Sequence, residues 1–365
     1  MIEAVGIKSW GIIDWDGQKP LLIAGPCSAE TPDQVMESCR GAASQGAHLL
    51  RAGIWKPRTR PGTFQGVGKE GLKWLADASA QTGKPAAVEV ASPRHVEDAI
   101  KAGIQVLWIG ARSTANPFTV QEIADALSGV EIPVLIKNPI NPDLDLWVGA
   151  VERIAQAGIS RIALIHRGFS TYKSAPYRNA PMWQIPIEMR RRYPNLEIIC
   201  DPSHICGNRS LLATVSQLAL NLDFDGLMIE THPRPDEAWS DAAQQVTPDQ
   251  LGSLLVPLIA RHPESTDPEF TANLDALRYD IDRLDHEIID LLARRMMVSQ
   301  EIGRYKKRQD VTVLQLNRWS EIFESRVKST IDAGLSRDFA SEFIQAIHNE
   351  SIRQQLNVLE EEGHS

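Results

Sequence analysis

The chain has 365 residues, 43% of them hydrophobic and 23% charged, and a formal net charge of -9. That length exceeds one ordinary domain, the balance excludes a disordered chain, and the negative charge argues against nucleic acid and anionic membranes as partners. Four cysteines without a CxxC pair exclude a disulfide framework and a zinc knuckle; nothing reads as a leader or a membrane span, so a cytoplasmic protein is expected.

From residue 20 onward, short apolar runs alternate with longer helical patterns. The runs are "PLLIAGPCS" (20–28), "LLRAGIW" (49–55), "PAAVEVA" (85–91), "VLWIGA" (106–111), "VLIKNP" (134–139), "IALIHRG" (162–168), "EIICDPSH" (197–204) and "DGLMIETHP" (225–233). Their continuous apolar character suits parallel strands covered on both faces. Eight such units predict an α/β fold, a (β/α)8 TIM barrel over residues 1–260. An open doubly wound sheet is the alternative. Its dinucleotide fingerprint fails, because the GxGxxG match "GVGKEG" (66–71) follows a polar loop instead of a strand.

Residues 261–270, within "ARHPESTDPEF", read as a linker. Beyond it, 271–365 read as an all-α three-helix domain. The first helix runs from Leu274 to Lys307, with apolar residues at Leu274, Leu277, Ile281, Leu284, Ile288, Leu291, Leu292, Met296 and Ile302. Helices over about 316–333 and 337–360 follow, parted near Gly334. A helix about 50 Å long needs partners along its whole stripe, so a homodimer through this domain is expected.

In a barrel of this kind, reactive groups sit at the C-terminal ends of strands. Those ends carry Cys27, Arg51, Lys56, Arg58, Arg112, Lys137, His166, Arg167, His204, Glu230 and Asp241. Singly, a Cys or His there is more often a core residue. Together, Cys27, His204, Glu230 and Asp241 offer one thiolate, one imidazole and two carboxylates, a shell suited to Mn²⁺, Fe²⁺, Co²⁺ or Zn²⁺. Barrel closure makes strands 7, 8 and 1 neighbours, so these donors can converge. Cys206 is a rival thiol, and a solvated rim is the plain reading of the two carboxylates. The cations of "RAGIWKPRTRPGTF" (51–64) suit a phosphate, and Lys137 suits a carboxylate or a Schiff base.

The ordered set "AGPCSAE", "KPRT", "GARS", "LIKNP", "IHRG", "DPSH" and "GLMIETHP" followed by "SDAAQQ" closely resembles the type I beta class of 3-deoxy-D-arabino-heptulosonate 7-phosphate (DAHP) synthases over residues 9 to 258. The resemblance implies condensation of phosphoenolpyruvate with erythrose 4-phosphate, the entry step of the shikimate pathway. It makes Cys27, His204, Glu230 and Asp241 ligands of one divalent ion, Mn²⁺ being the first expectation. It gives phosphoenolpyruvate to Arg51, Lys56, Ala111, Arg112, Lys137 and Arg167, and erythrose 4-phosphate to Pro57, Arg58 and Thr59. "KPRT" favours the four-carbon aldehyde over that of the related octulosonate phosphate synthases. The position after Thr59, often a small hydroxyl residue in the family, is Arg60.

On the first long helix, Arg295 and Lys306 share a face, whereas Arg278 lies about 25 Å from Arg295, too far to hold the same small molecule. Ser351 and Gln355 are four apart on the last helix. "LDALRYDIDRLDHEIIDLLARR", "EIGRYKKRQDV", "NRW" and "NESIRQQ" resemble the all-helical chorismate mutases over about residues 271–358. That resemblance implies that Arg278 of the partner chain, Arg295 and Arg318 bind the substrate carboxylates. Lys306 and Gln355 would face the ether oxygen, and Ser351 would complete the pocket. Where the family commonly carries Asp and Glu around the position of Arg318, this chain has Gln315 and Trp319. A bifunctional enzyme inhibited by prephenate or chorismate is the expectation. The alternative keeps the synthase and makes the helical domain a regulatory binding and dimerisation module.

Overall fold

The computed structural model describes Trp15 and residues 19–56, 62–172, 176–261 and 264–360. It divides into two compact units, Met1–Pro263 and Glu264–Ser365.

The first unit is a closed barrel of parallel strands in chain order. The strands are β1 (Leu21–Gly25), β2 (Leu49–Ala52), β3 (Ala86–Val90), β4 (Val106–Ile109), β5 (Val134–Lys137), β6 (Ile162–His166), β7 (Ile198–Cys200) and β8 (Gly226–Glu230). Each lies inside one of the apolar runs. Closure is direct: β1 pairs with β8 from Leu21↔Gly226 to Gly25↔Glu230. Helices α1 (Pro32–Ser44), α2 (Lys69–Thr82), α3 (Pro93–Lys101), α4 (Ala111–Thr114) and α5 (Pro117–Leu127) belong to the first half. The second half has α6 (Leu144–Gln156), α7 (Gln184–Arg192), α8 (Pro202–Cys206), α9 (Leu212–Asn221) and α10 (Pro248–Leu255).

Successive strand residues point to opposite faces. Leu21, Ile23, Leu49, Ala87, Val106, Trp108, Leu135, Ala163, Ile165, Ile199 and Met228 form one buried cluster inside the barrel. Their neighbours Leu22, Ala24, Leu50, Val88, Leu107, Ile136, Leu164 and Leu227 belong to a second, between the strands and the helices. Continuing the inward parity to the C-terminal end reaches Gly25, Arg51, Glu89, Gly110, Lys137, Arg167, Asp201 and Glu230. The barrel floor is apolar and its mouth is charged. Gly25, at φ 149°, is required by close approach, since a Cβ there would lie 2.0 Å from the Arg51 carbonyl oxygen.

That parity corrects the reading of His166 as a mouth residue. It is one position out of phase with Arg167 and faces outward, fully buried. The rings of Trp147, Phe169, Trp183 and Phe224 surround it, with centroids 5.3 to 6.4 Å away.

The second unit consists of α11 (Pro268–Arg308), α12 (Leu316–Asp332) and α13 (Arg337–Glu360). Helix α11 begins within the expected linker. Asp267 accepts hydrogen bonds from the Glu269 and Phe270 amides, and Pro268 occupies the first turn, where its missing N–H costs nothing. Gly334, at φ 91°, ends the turn after α12. Helix α13 packs on α11 so tightly that a Cβ on Gly303 would meet the Gln355 Cα at 3.1 Å. Much of the apolar stripe of α11 is exposed: Leu277, Ile281, Ile288 and Leu291 are 62%, 57%, 48% and 61% exposed. Among the described residues no helix is long and apolar enough to cross a membrane.

Candidate functional site

Strand ends and the loops after them bring the charged residues of the barrel mouth into one network, buried at Arg51, Glu230, Lys137 and Asp201 and open to solvent at Arg178. Arg51 donates to Glu230 Oε1 at 2.9 Å and to the Cys27 carbonyl at 3.2 Å. Lys56 Nζ lies 2.9 Å from Cys27 Sγ, which lies 3.3 Å from Asp241 Oδ2. Arg178 donates to Asp241 Oδ1 at 2.8 Å and to Gln244 Oε1 at 2.9 Å, and Gln244 Nε2 donates to Glu230 Oε2 at 2.7 Å. On the other side Lys137 Nζ donates to Asp201 Oδ2 at 2.8 Å. The same oxygen lies 2.8 Å from His204 Nδ1, leaving His204 Nε2 3.8 Å from Glu230 Oε1.

The electrostatics follow from this geometry. Burial and Glu230 push the Cys27 thiol up to about 12, against the pull of Lys56. Burial opposes ionisation of Glu230, but His204, Arg51 and Lys56 outweigh it and hold that carboxyl below its ordinary value. Asp241 is held low by His204 and Arg178 against its own burial. Burial lowers Arg167 to about 10, with Asp201 opposing and Arg178 and Arg112 assisting. Cations therefore meet at this end of the barrel, and Arg112, exposed in the first turn of α4, is among them. Ala111 opens that helix.

The expected metal donors meet in pairs, Cys27 with Asp241 and His204 with Glu230. Among the described residues no three His, Cys, Asp or Glu side chains form a group that holds an ion. Two observations nevertheless fit such an ion. His204 has its Nδ1 2.8 Å from the Asp201 carboxylate, without a well-formed hydrogen bond, close to the arrangement that orients metal-binding histidines. Three anionic or acidic donors each have a cation at hydrogen-bond distance, Lys56 on Cys27, Arg51 on Glu230 and Arg178 on Asp241. Pro57, Arg58, Thr59 and Arg60 lie outside the described residues.

Residues 4–259 match the model of the DAHP synthetase I family. The chain belongs to that family. Residues 277–356 match the model of chorismate mutase type II. Phospho-2-dehydro-3-deoxyheptonate aldolase of Thermotoga maritima is 32% identical over 225 residues, 62% of this chain and 64% of that protein, so the chain spans less than two thirds of that relative. 2-Dehydro-3-deoxyphosphooctonate aldolase of Geobacter sulfurreducens is 26% identical over 273 residues, 68% of this chain and 95% of that one. A crystal structure of the Thermotoga maritima DAHP synthase superposes with a TM-score of 0.62 at 27% identity, covering 69% of this chain and 72% of that chain.

The DAHP synthetase I barrel also carries mouth residues that sequence reasoning passed over. Asp201 had a visible signal, an Asp-Pro at a helix start, and its side chain accepts the His204 amide at 3.1 Å. Glu89, which accepts the Trp108 indole N–H at 3.1 Å, follows from strand parity. Arg178 comes from a loop and Gln244 from the single 3-10 turn Ala242–Gln244, and neither had a periodic signal.

In the helical unit, Arg295 donates to Ser351 Oγ, which lies 3.3 Å from Ser299 Oγ. Gln355 is buried beside Gly303. Lys306 Nζ donates to the Val313 carbonyl at 2.5 Å, and burial lowers its pKa. Arg278 and Arg318 are exposed and pair with Asp275 and Glu321, each at 3.3 Å. The structure thus joins Arg295 to Ser351 and does not show Arg278 or Arg318 in contact with them. Trp319 stacks on His348, with ring centroids 3.5 Å apart and planes within 13°.

Proposed function

We propose that the chain is a bifunctional enzyme of the shikimate pathway. Its barrel condenses phosphoenolpyruvate with erythrose 4-phosphate and, with water adding at the former enol carbon, gives DAHP and phosphate; its helical unit rearranges chorismate to prephenate. The convergence of Arg51, Lys56, Lys137 and Arg167 around Cys27, His204, Glu230 and Asp241 at one barrel mouth is the observation that carries the first half.

Cys27, His204, Glu230 and Asp241 would hold a divalent ion, Mn²⁺ first, with Fe²⁺, Co²⁺ or Zn²⁺ as substitutes. When bound, the ion supplies Lewis-acid polarisation of a substrate carbonyl oxygen. The chain's own contribution is placement and charge. Arg51, Lys56, Arg112, Lys137 and Arg167 neutralise the carboxylate and phosphate of phosphoenolpyruvate, with Ala111 at the same strand end. Pro57, Arg58 and Thr59 present the aldehyde's phosphate. Holding two mutually repelling anions in contact removes the entropy cost of their encounter and aims the weakly nucleophilic enol carbon at the aldehyde. Lys56 beside Cys27 favours the thiolate that burial disfavours.

Chorismate rearrangement needs no nucleophile, only selection of a compact conformer and stabilisation of charge on the ether oxygen. Arg295 and Arg318, with Arg278 from a partner subunit, take the carboxylates; Lys306, Ser351 and Gln355 complete the pocket. The exposed stripe of α11 supports a homodimer through this unit. Prephenate or chorismate held there lowers synthase activity, which requires the ligand to prefer one of two states of the chain.

The deciding experiment measures phosphate release from phosphoenolpyruvate with erythrose 4-phosphate, and chorismate loss, on the full chain with and without chelator. Chelation abolishes the first reaction, added Mn²⁺ restores it, and the second is indifferent. Faster turnover with a five-carbon aldose phosphate would move the barrel to the octulosonate reaction. A helical unit that binds prephenate but consumes no chorismate would make it a regulatory module.

A further inference from the structure

Cys27 and Asp241 stand 214 residues apart, on the loops after β1 and β8 where the barrel closes. Between these loops runs a line of buried polar contacts. The Cys27 amide donates to Gln245 Oε1 at 3.0 Å, and Gln245 Nε2 donates to the Ser240 carbonyl at 2.9 Å. Ser28 Oγ and Ser240 Oγ are 2.5 Å apart. Glu30 Oε1 accepts the Trp239 amide at 2.8 Å, and its Oε2 lies 3.3 Å from His232 Nε2.

The tautomer of His232 follows from its other nitrogen. The Arg234 amide donates to His232 Nδ1 at 3.0 Å, so that nitrogen carries no proton and Nε2–H points at Glu30. Glu30 and His232 are 6% and 3% exposed. A carboxylate so buried is costly without hydrogen bonds, and both of its oxygens are committed to the β8 loop. Asp241, directly after Ser240, adopts φ 49°, in the left-handed region that few residues other than glycine, asparagine and aspartate enter.

We infer that Glu30, His232, Ser28 and Ser240 form a strap across the barrel's closing seam whose work is to set the distance between Cys27 and Asp241. They are positioning residues. The inference rests on the reading of Cys27 and Asp241 as ligands of one ion, and it assigns to this strap the geometry that the two loops could not keep alone.

The test uses the full chain and Co²⁺, whose thiolate-to-cobalt absorption reports Cys27 as a ligand. If wild-type protein lacks that band, or Cys27→Ser retains it, the ligand reading falls and the strap with it. With the band present, Glu30→Ala and His232→Ala weaken Co²⁺ binding about 10- to 100-fold and shift the band, while circular dichroism shows folded protein. Glu30→Gln recovers only part of the affinity, since its amide oxygen still accepts the Trp239 N–H while its NH2 meets the His232 Nε2–H. Should Glu30→Ala not fold, Ser28→Ala with Ser240→Ala decides, because removing both members of a hydroxyl pair is nearly neutral for folding. That double variant loses about tenfold in Co²⁺ affinity. Folded variants with wild-type affinity and band, even at lowered Tm, overturn the inference.

Discussion

His204 and Asp201 face each other at 2.8 Å, Nδ1 to Oδ2, on the short turn that follows β7. The same carboxylate oxygen holds Lys137 Nζ at 2.8 Å, so one buried anion orients both an imidazole and an ammonium at the barrel mouth. Burial raises the Asp201 pKa, and His204 and Lys137 more than reverse it, holding that carboxyl well below its ordinary value. Asp201→Asn leaves the shape nearly intact but removes the charge. Breaking a buried pair on one side costs about 3–5 kcal/mol, and losing the carboxylate behind a metal-binding histidine costs about 10- to 100-fold in affinity. The expected outcome is a lowered Tm together with weaker Mn²⁺ binding, measured by thermal unfolding and by metal competition.

His166 predicts a pH dependence of stability. Burial lowers its pKa from 6.5 to about 3; the Pro181 backbone opposes this, although neither ring nitrogen has a well-formed hydrogen bond, and Arg167 adds a smaller lowering. As pH falls the unfolded chain takes up this proton first. The contribution is therefore fully present above about 6.5 and is lost as pH falls toward about 3. Near pH 5 this group alone costs about 2 kcal/mol. His166→Phe keeps the ring among its aromatic neighbours and flattens that slope; urea unfolding at neutral and mildly acidic pH measures it.

The contrast between His166 and Arg167 shows what was legible in the sequence. All eight strands could be read, because a strand covered on both faces is an unbroken apolar run. Which strand-end residue faces inward was not read from run length, since that depends on pleat parity, and parity separates His166 from Arg51, Lys137 and Glu230. The donors Cys27, His204, Glu230 and Asp241 were visible as chemistry at strand ends. Arg178, which reaches Asp241 from an irregular loop, was not, because loop contacts leave no periodic trace. The start of α11 was hidden by two prolines that suggest a linker, one of which caps into the helix.

The stripe of α11 carries the prediction for assembly. Leu284 and Ile288, both 48% exposed, lie one turn apart on α11. Leu284→Glu with Ile288→Glu places two carboxylates in any interface formed there. Sedimentation of this variant gives a smaller species than wild type, with reduced mutase activity if Arg278 acts across the dimer. Synthase activity in the absence of prephenate is retained.

Separation of the two chemistries is the last expectation. Cys27 lies within hydrogen-bonding distance of Lys56 and Asp241, whereas Arg295 is bonded to Ser351 in a unit that shares none of those residues. Cys27→Ala removes the only sulfur among the proposed donors, and the three remaining ligands hold an ion less tightly. Phosphate release therefore falls by at least about 10²-fold while chorismate consumption is unchanged. Arg295→Ala does the reverse: removing one fixed cation from a carboxylate costs about 10²- to 10³-fold in mutase kcat, the scale for a preorganised charge donor, and leaves the synthase at its wild-type rate without effector. Prephenate inhibition supplies the third readout. If prephenate acts through the helical pocket, Arg295→Ala abolishes its effect on the barrel; inhibition that persists in this variant places the effector elsewhere in the chain.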